Sequence, residues 1–67
     1  MIKVNSSTIS EIGYDSSRQI MTVKFKSGAT YEYLEVPQNI FDFVAEAESV
    51  GKALNAEVKG VYEYRQV

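Results

Sequence analysis

The hydrophobic period of this chain changes at Val36-Pro37, and that change restricts the fold more than any other feature of the sequence. From Thr8 to Leu34 the apolar residues alternate or cluster as strands require, and after Pro37 they recur at helical spacing. Met21-Thr-Val-Lys-Phe25 and Thr30-Tyr-Glu-Tyr-Leu34 alternate cleanly and are rich in β-branched and aromatic residues. Lys26-Ser27-Gly28 between them reads as a three-residue hairpin loop, with Gly28 at its left-handed position. That loop pairs Phe25 with Ala29, Val23 with Tyr31 and Met21 with Tyr33, all on one face, whereas a two-residue loop turns both tyrosines away. A preceding strand over about residues 8–14 holds Ile9 and Ile12, whose odd spacing demands an irregularity, and Gly13 is the expected bulge. Asp15-Ser-Ser-Arg18 is then the turn into the second strand, because Asp and Ser bond locally to backbone.

Beyond Pro37, which suits a first helical turn, Ile40, Phe41, Val44 and Ala47 fall on one face, with Asp42, Glu46 and Glu48 mostly off it. Ser49 is a good N-cap for a second helix that turns Ala53, Leu54 and Val58 inward, and Gly60 is a good terminator. Val61–Val67 alternates again, and it is expected to pair as an extra strand with an open sheet edge of this molecule or of a neighbour. The expected fold is α+β: a three-stranded antiparallel meander, two short helices and a C-terminal strand in a single domain over residues 1–67.

A domain of 67 residues buries only roughly 60% of its unfolded surface, so its core is marginal and invites a supplement. The chain has no cysteine for disulfides and no histidine for zinc, which leaves self-association into a homo-oligomer. The same absences remove Ser-His-Asp, Cys-His and His-based acid–base schemes, and neither a catalytic role nor a cofactor is expected. No apolar run approaches a membrane span, and Met1–Asn5 does not lead into a signal-peptide core, so the cytoplasm is the expected compartment. Net charge is −2 but unevenly placed. Residues 1–34 carry Lys3, Arg18, Lys24 and Lys26 against Glu11, Asp15 and Glu32, while residues 35–58 set Lys52 against Glu35, Asp42, Glu46, Glu48 and Glu57. Long nucleic acid requires clustered cations, which the second stretch lacks, and a small phosphate-bearing ligand fits better.

Two constellations carry chemistry. In Ser49-x-Gly51-Lys52-x-x-Asn55 a capped helix start, a glycine backbone and an ammonium group can meet a phosphate or carboxylate. The plainer account is a helix–helix junction with a solvated lysine. Tyr31-x-Tyr33, with Tyr14, Tyr62 and Tyr64, offers rings on which bases can stack, although tyrosines lining a thin core explain the pattern as well. Asp42, Glu46 and Glu48 read as a solvated helix face, not as paired catalytic acids.

Ser6-Ser7-x-Ile9, Ile12-Gly13-Tyr14-Asp15, Val23-x-Phe25-x-x-Gly28, Tyr31-x-Tyr33, Val36-Pro37 and Ser49-x-Gly51-Lys52-x-x-Asn55 together resemble the KTSC domain, a short domain named from the C-terminus of certain lysyl-tRNA synthetases. The likeness covers about residues 6–58 and treats 59–67 as an extension. It implies a meander followed by a helical pair, with Tyr31-x-Tyr33 as the central motif. The synthetase setting implies an RNA-binding accessory module. Stand-alone members in bacteria and phages resemble candidate sponges, which bind cyclic nucleotide signals of host immunity without cleaving them. The leading expectation is a homo-oligomeric sponge for a cyclic di- or trinucleotide, with ligand contacts from Ser7, Tyr14, Tyr31, Tyr33, Ser49, Gly51, Lys52 and Asn55. The alternatives are RNA binding, or a protein–protein adaptor that adds its edge strand or tail to a partner.

Overall fold

In the computed structural model, which describes residues 1–67, the alternating segments pair in sequence order into one antiparallel sheet. Its strands are β1 (Ile2–Lys3), β2 (Ile9–Asp15), β3 (Ile20–Phe25), β4 (Thr30–Tyr33) and β5 (Tyr64–Gln66). Helices α1 (Gln38–Glu46) and α2 (Val50–Glu57) lie between β4 and β5 in the chain. Their apolar faces share one core with the inner face of the sheet.

The hairpin has the expected register. Met21 faces Tyr33 and Val23 faces Tyr31. The Phe25 N–H donates to the Ala29 carbonyl at 2.9 Å, and Gly28 takes a φ of 99°, where a Cβ is disfavoured. The parity of the pleat therefore sends Ile12, Met21, Val23 and Tyr33 inward together, and all four are buried. Cross-strand charge pairs occupy the outer face, where Lys24 meets Glu11 at 3.9 Å and Arg65 meets Glu32 at 2.7 Å.

The bulge differs from expectation. Gly13 pairs regularly with Thr22, and the register shifts between Ile9 and Glu11, so Ser10 is the extra residue. An insertion that turns both Ile9 and Ile12 inward must fall between them, which Ser10 does and Gly13, beyond Ile12, does not. Gly13 instead leaves room for the N-terminal residue. A Cβ at Gly13 would come within 2.9 Å of Met1 Cγ, which packs there beside β1. That two-residue edge strand was not anticipated, because Ile2-Lys3 is too short to display a period. The C-terminal strand pairs within the molecule, with Arg65 opposite Glu32 and Tyr64 opposite Tyr33.

The helices follow the sequence signals to within a residue. Pro37 sits at the N-cap of α1, one position earlier than its first turn, and Phe41 and Val44 are buried beneath it. Ser49 caps α2, its hydroxyl accepting from the Lys52 N–H at 3.3 Å, and Ala53 and Leu54 enter the core with Val58 just beyond the helix. Gly60, with a φ of 83°, lies in the turn after the helix and lets the chain double back toward β5.

Tyr14 ties these layers together. Its ring stacks on Phe41 with centroids 5.0 Å apart, and its hydroxyl donates to the Val36 carbonyl. The Val36 N–H donates to the Gln19 carbonyl, so both backbone groups of this buried residue are satisfied. Burial first, then the Asp42 and Asp15 carboxylates, push the Tyr14 phenol above its usual range and keep it a donor. Tyr14→Phe removes that bond and should lower unfolding stability by about 1–2 kcal/mol in urea titrations, with little change in the m-value.

Asp15 holds the β2–β3 turn, accepting from the Ser17 hydroxyl at 2.7 Å and from the Ser17 and Arg18 N–H groups. The Ser17 hydroxyl bond is the chief reason its carboxyl lies below the usual range. A depressed folded pKa contributes stability above the unfolded value and loses it as pH falls through the folded value. Acid titration of the wild type should therefore show a loss of stability in that window that Asp15→Asn does not show.

Candidate functional site

Two helices do not cover a five-stranded sheet, and the uncovered strip is where the candidate site forms. Tyr33 is 3% exposed, yet its cross-strand neighbour Tyr64, on the same inner face, is 60% exposed. Phe25 and Tyr31 are half-buried beside them. The four rings make one cluster: Tyr31 meets Phe25 and Tyr64 edge-on, each at 5.5 Å, and Tyr33 lies 5.7 Å from Tyr64. Together with Lys59 they line a hollow of about 270 Å³. Burial first, with the neighbouring Tyr64 and Tyr31, raises the Tyr33 phenol and keeps it protonated.

Phe25 and Lys59 also line a second, more polar hollow of about 450 Å³, together with Ser7, Lys26, Gly51 and Asn55. Local backbone chemistry builds its walls. The Ser6 hydroxyl accepts from the Thr8 and Ile9 N–H groups, each at 3.3 Å, which folds the segment before β2 into a tight turn. The Lys26 N–H donates to the Thr8 carbonyl at 2.8 Å, pinning the hairpin loop against that turn. Gly51 brings the first turn of α2 close to the same segment, since a Cβ there would lie 3.4 Å from Ser6 Oγ and 3.5 Å from Thr8 Oγ1.

A third hollow adjoins the second and is lined by no hydrophobic residue. It shares Ser7, Gly51 and Asn55 with the second and adds Ser49, Lys52 and Glu48. The three hollows thus adjoin one another along a groove from the aromatic shelf to the start of α2, each sharing lining residues with the next. Lys26, Lys52 and Lys59 border it without ion-pair partners, while Lys24 and Arg65 are engaged on the outer face. Three of the chain's five unpaired cations therefore border the groove, with Lys3 and Arg18 lying elsewhere.

Of the residues singled out in the sequence, Ser7, Ser49, Gly51, Lys52 and Asn55 come together in the polar stretch, and Tyr31 borders the aromatic hollow. Tyr33 forms the floor of that hollow and is largely covered. Tyr14 stands apart, at the far side of the sheet with Phe41. Phe25, Lys26, Lys59 and Tyr64 were not among the expected ligand contacts, although Tyr64 belonged to the candidate stacking rings. Two signals pointed to them: the hairpin register puts Phe25 beside the tyrosine face, and Lys59 stands at helical spacing from Lys52 and Asn55 in the sequence, although α2 itself ends at Glu57. No group of three or more His, Cys, Asp or Glu side chains is disposed to hold a metal ion, and no helix is long and apolar enough to cross a membrane.

Gly51→Ala tests the close approach. At an open helical position the change would gain up to about 1 kcal/mol. Here a Cβ would meet Ser6 Oγ and Thr8 Oγ1 at ordinary van der Waals distance, so thermal unfolding should show a gain of that kind, and a loss would mean that the two segments approach more closely than that.

Comparison with known proteins places this architecture. A model of the KTSC domain matches residues 5–66, so β5 lies inside the matched region. A protein of Tsukamurella paurometabola is 48% identical over 59 residues, which is 88% of either chain. A lysine–tRNA ligase of Nostoc punctiforme is 31% identical over all 67 residues, and the chain spans 12% of that protein's length. The crystal structure of a KTSC domain protein from Yersinia pestis superposes with a TM-score of 0.94 at 32% identity, covering 97% of this chain and 92% of that one.

Proposed function

This chain belongs to the KTSC domain family, and we propose that it is a non-catalytic protein that binds a small phosphate-bearing nucleotide. The observation that carries the reading is the junction of the two hollows at Phe25 and Lys59, where an aromatic surface runs directly into a wall bearing ammonium and amide groups. A nucleotide has the same division, a flat base that stacks on rings and a phosphate that seeks cations and N–H donors. Tyr31 and Tyr64 supply the stacking surface, and Lys59, Lys26 and Asn55 supply the polar contacts. The chain has neither histidine nor cysteine, which supports binding without turnover.

Binding without turnover is what a cytoplasmic sponge for cyclic di- or trinucleotide signals requires, and a phage-encoded protein of immune evasion is the setting in which it would serve. The groove is open on its outer side. Self-association of the chain is part of the reading, because a second copy would supply an opposing wall. RNA binding is the second reading, favoured by the relatives named lysine–tRNA ligase, to which this chain corresponds over 12% of their length. The small number of free cations and the acids Asp42, Glu46 and Glu48 weigh against a long polyanion.

Calorimetry with cyclic dinucleotides, linear dinucleotides and a folded RNA tests the proposal. A nucleotide should bind with modest salt dependence, and Lys59→Ala should weaken it about tenfold, the loss of one charge-assisted contact, without changing the fold. Absence of heat for every nucleotide at high micromolar protein would sink it. Binding of the folded RNA alone, with a steep salt slope, would favour the second reading.

A further inference from the structure

The polar residues of the groove are spread along the length of α2. Lys52 lies in the first turn of α2 and Asn55 in its second half, while Lys59 comes two residues after its last residue, Glu57. An eight-residue helix is roughly 12 Å long, so the two lysines stand toward its opposite ends. Lys59 sits where the aromatic hollow meets the middle of the groove, with Lys26 across from it on the hairpin loop. Lys52 sits at the other end, beside Ser49 and with the Glu48 carboxylate in the same lining. Between them Ser7, Thr8, Gly51 and Asn55 line both polar hollows, which therefore adjoin.

From this spacing, and resting on the nucleotide reading above, we infer that the ligand carries two phosphate groups separated by a nucleoside, as in an open or cyclic oligonucleotide. One phosphate is met by Lys59 and Lys26 next to the base on the Tyr31–Tyr64 shelf, and the second by Lys52. A mononucleotide fills the aromatic half alone. The adjoining phosphates of a nucleoside diphosphate or triphosphate stay clustered near Lys59 and do not reach Lys52. Glu48 adds selectivity at the far end, since its carboxylate opposes an accumulation of negative charge there and suits a singly charged phosphodiester better than a terminal phosphate.

The test is a series with one base: AMP, ADP, ATP, a linear adenosine dinucleotide and a cyclic adenosine dinucleotide, titrated calorimetrically into the wild type and into Lys52→Ala and Tyr64→Ala. At least one dinucleotide should bind about tenfold or more tighter than AMP, with ADP and ATP close to AMP. Lys52→Ala should weaken the dinucleotide and leave AMP unchanged, while Tyr64→Ala weakens both. Since Lys52 and Tyr64 are exposed, both variants should fold, which circular dichroism checks. If ATP binds as tightly as the dinucleotides, or Lys52→Ala weakens AMP equally, the two-phosphate inference is overturned and the nucleotide reading stands. If no member of the series binds, both fall.

Discussion

A three-residue loop at the β3–β4 hairpin sets the face on which nearly every later contact is made. Gly28 takes a left-handed conformation, Phe25 bonds to Ala29, and the pairs Met21–Tyr33 and Val23–Tyr31 follow from the pleat. Shift that register by one residue and the tyrosines leave the side against which α1 and α2 pack. Tyr33 would lose its place in the core, and Tyr31 and Phe25 would leave the groove. Register links stability to the site because the same face supplies the core in its middle and the aromatic shelf at its margin.

The site itself arises from a mismatch of widths. The sheet has five strands and the helical layer two short helices, so the inner face near β5 stays open. A small domain ordinarily cannot afford exposed rings, but Tyr31 and Tyr64 are ordered edge-on against each other and against Phe25. Arg65, bound to Glu32 on the outer face, holds β5 in position from behind. Charge is distributed in keeping with this. Two of the cations are paired across outer-face strands, and three border the groove unpaired.

The sequence made the meander, the hairpin register, the two helices and the Ser49 cap legible, because each rests on a local rule of period, turn chemistry or capping. It did not reveal β1, whose two residues carry no period and which forms only because β2 offers an open edge. The bulge was expected at Gly13 and lies at Ser10: an insertion that brings Ile9 and Ile12 onto one face must fall between them, and Gly13 comes after both. Site residues on α2 were legible as a motif. Tyr14 was grouped with the other tyrosines, but its distant partners Phe41 and Val36 could not be read from a linear pattern. Lys26, Lys59 and Tyr64 were not among the expected ligand contacts for a related reason. They come from a loop, a helix end and the last strand, and only the tertiary fold assembles them around Phe25.

The central claim is that the junction of the aromatic shelf with the α2 groove is a nucleotide-binding surface. Mapping amide chemical-shift changes on the labelled protein during titration with an adenosine dinucleotide addresses it residue by residue. The account predicts saturable shifts concentrated at Phe25–Ser27, Tyr31, Gly51–Asn55, Lys59 and Tyr64, with Thr22, Lys24 and the Tyr14–Phe41 side silent. Saturable shifts centred on the outer face of the sheet, or none at millimolar ligand, would contradict it.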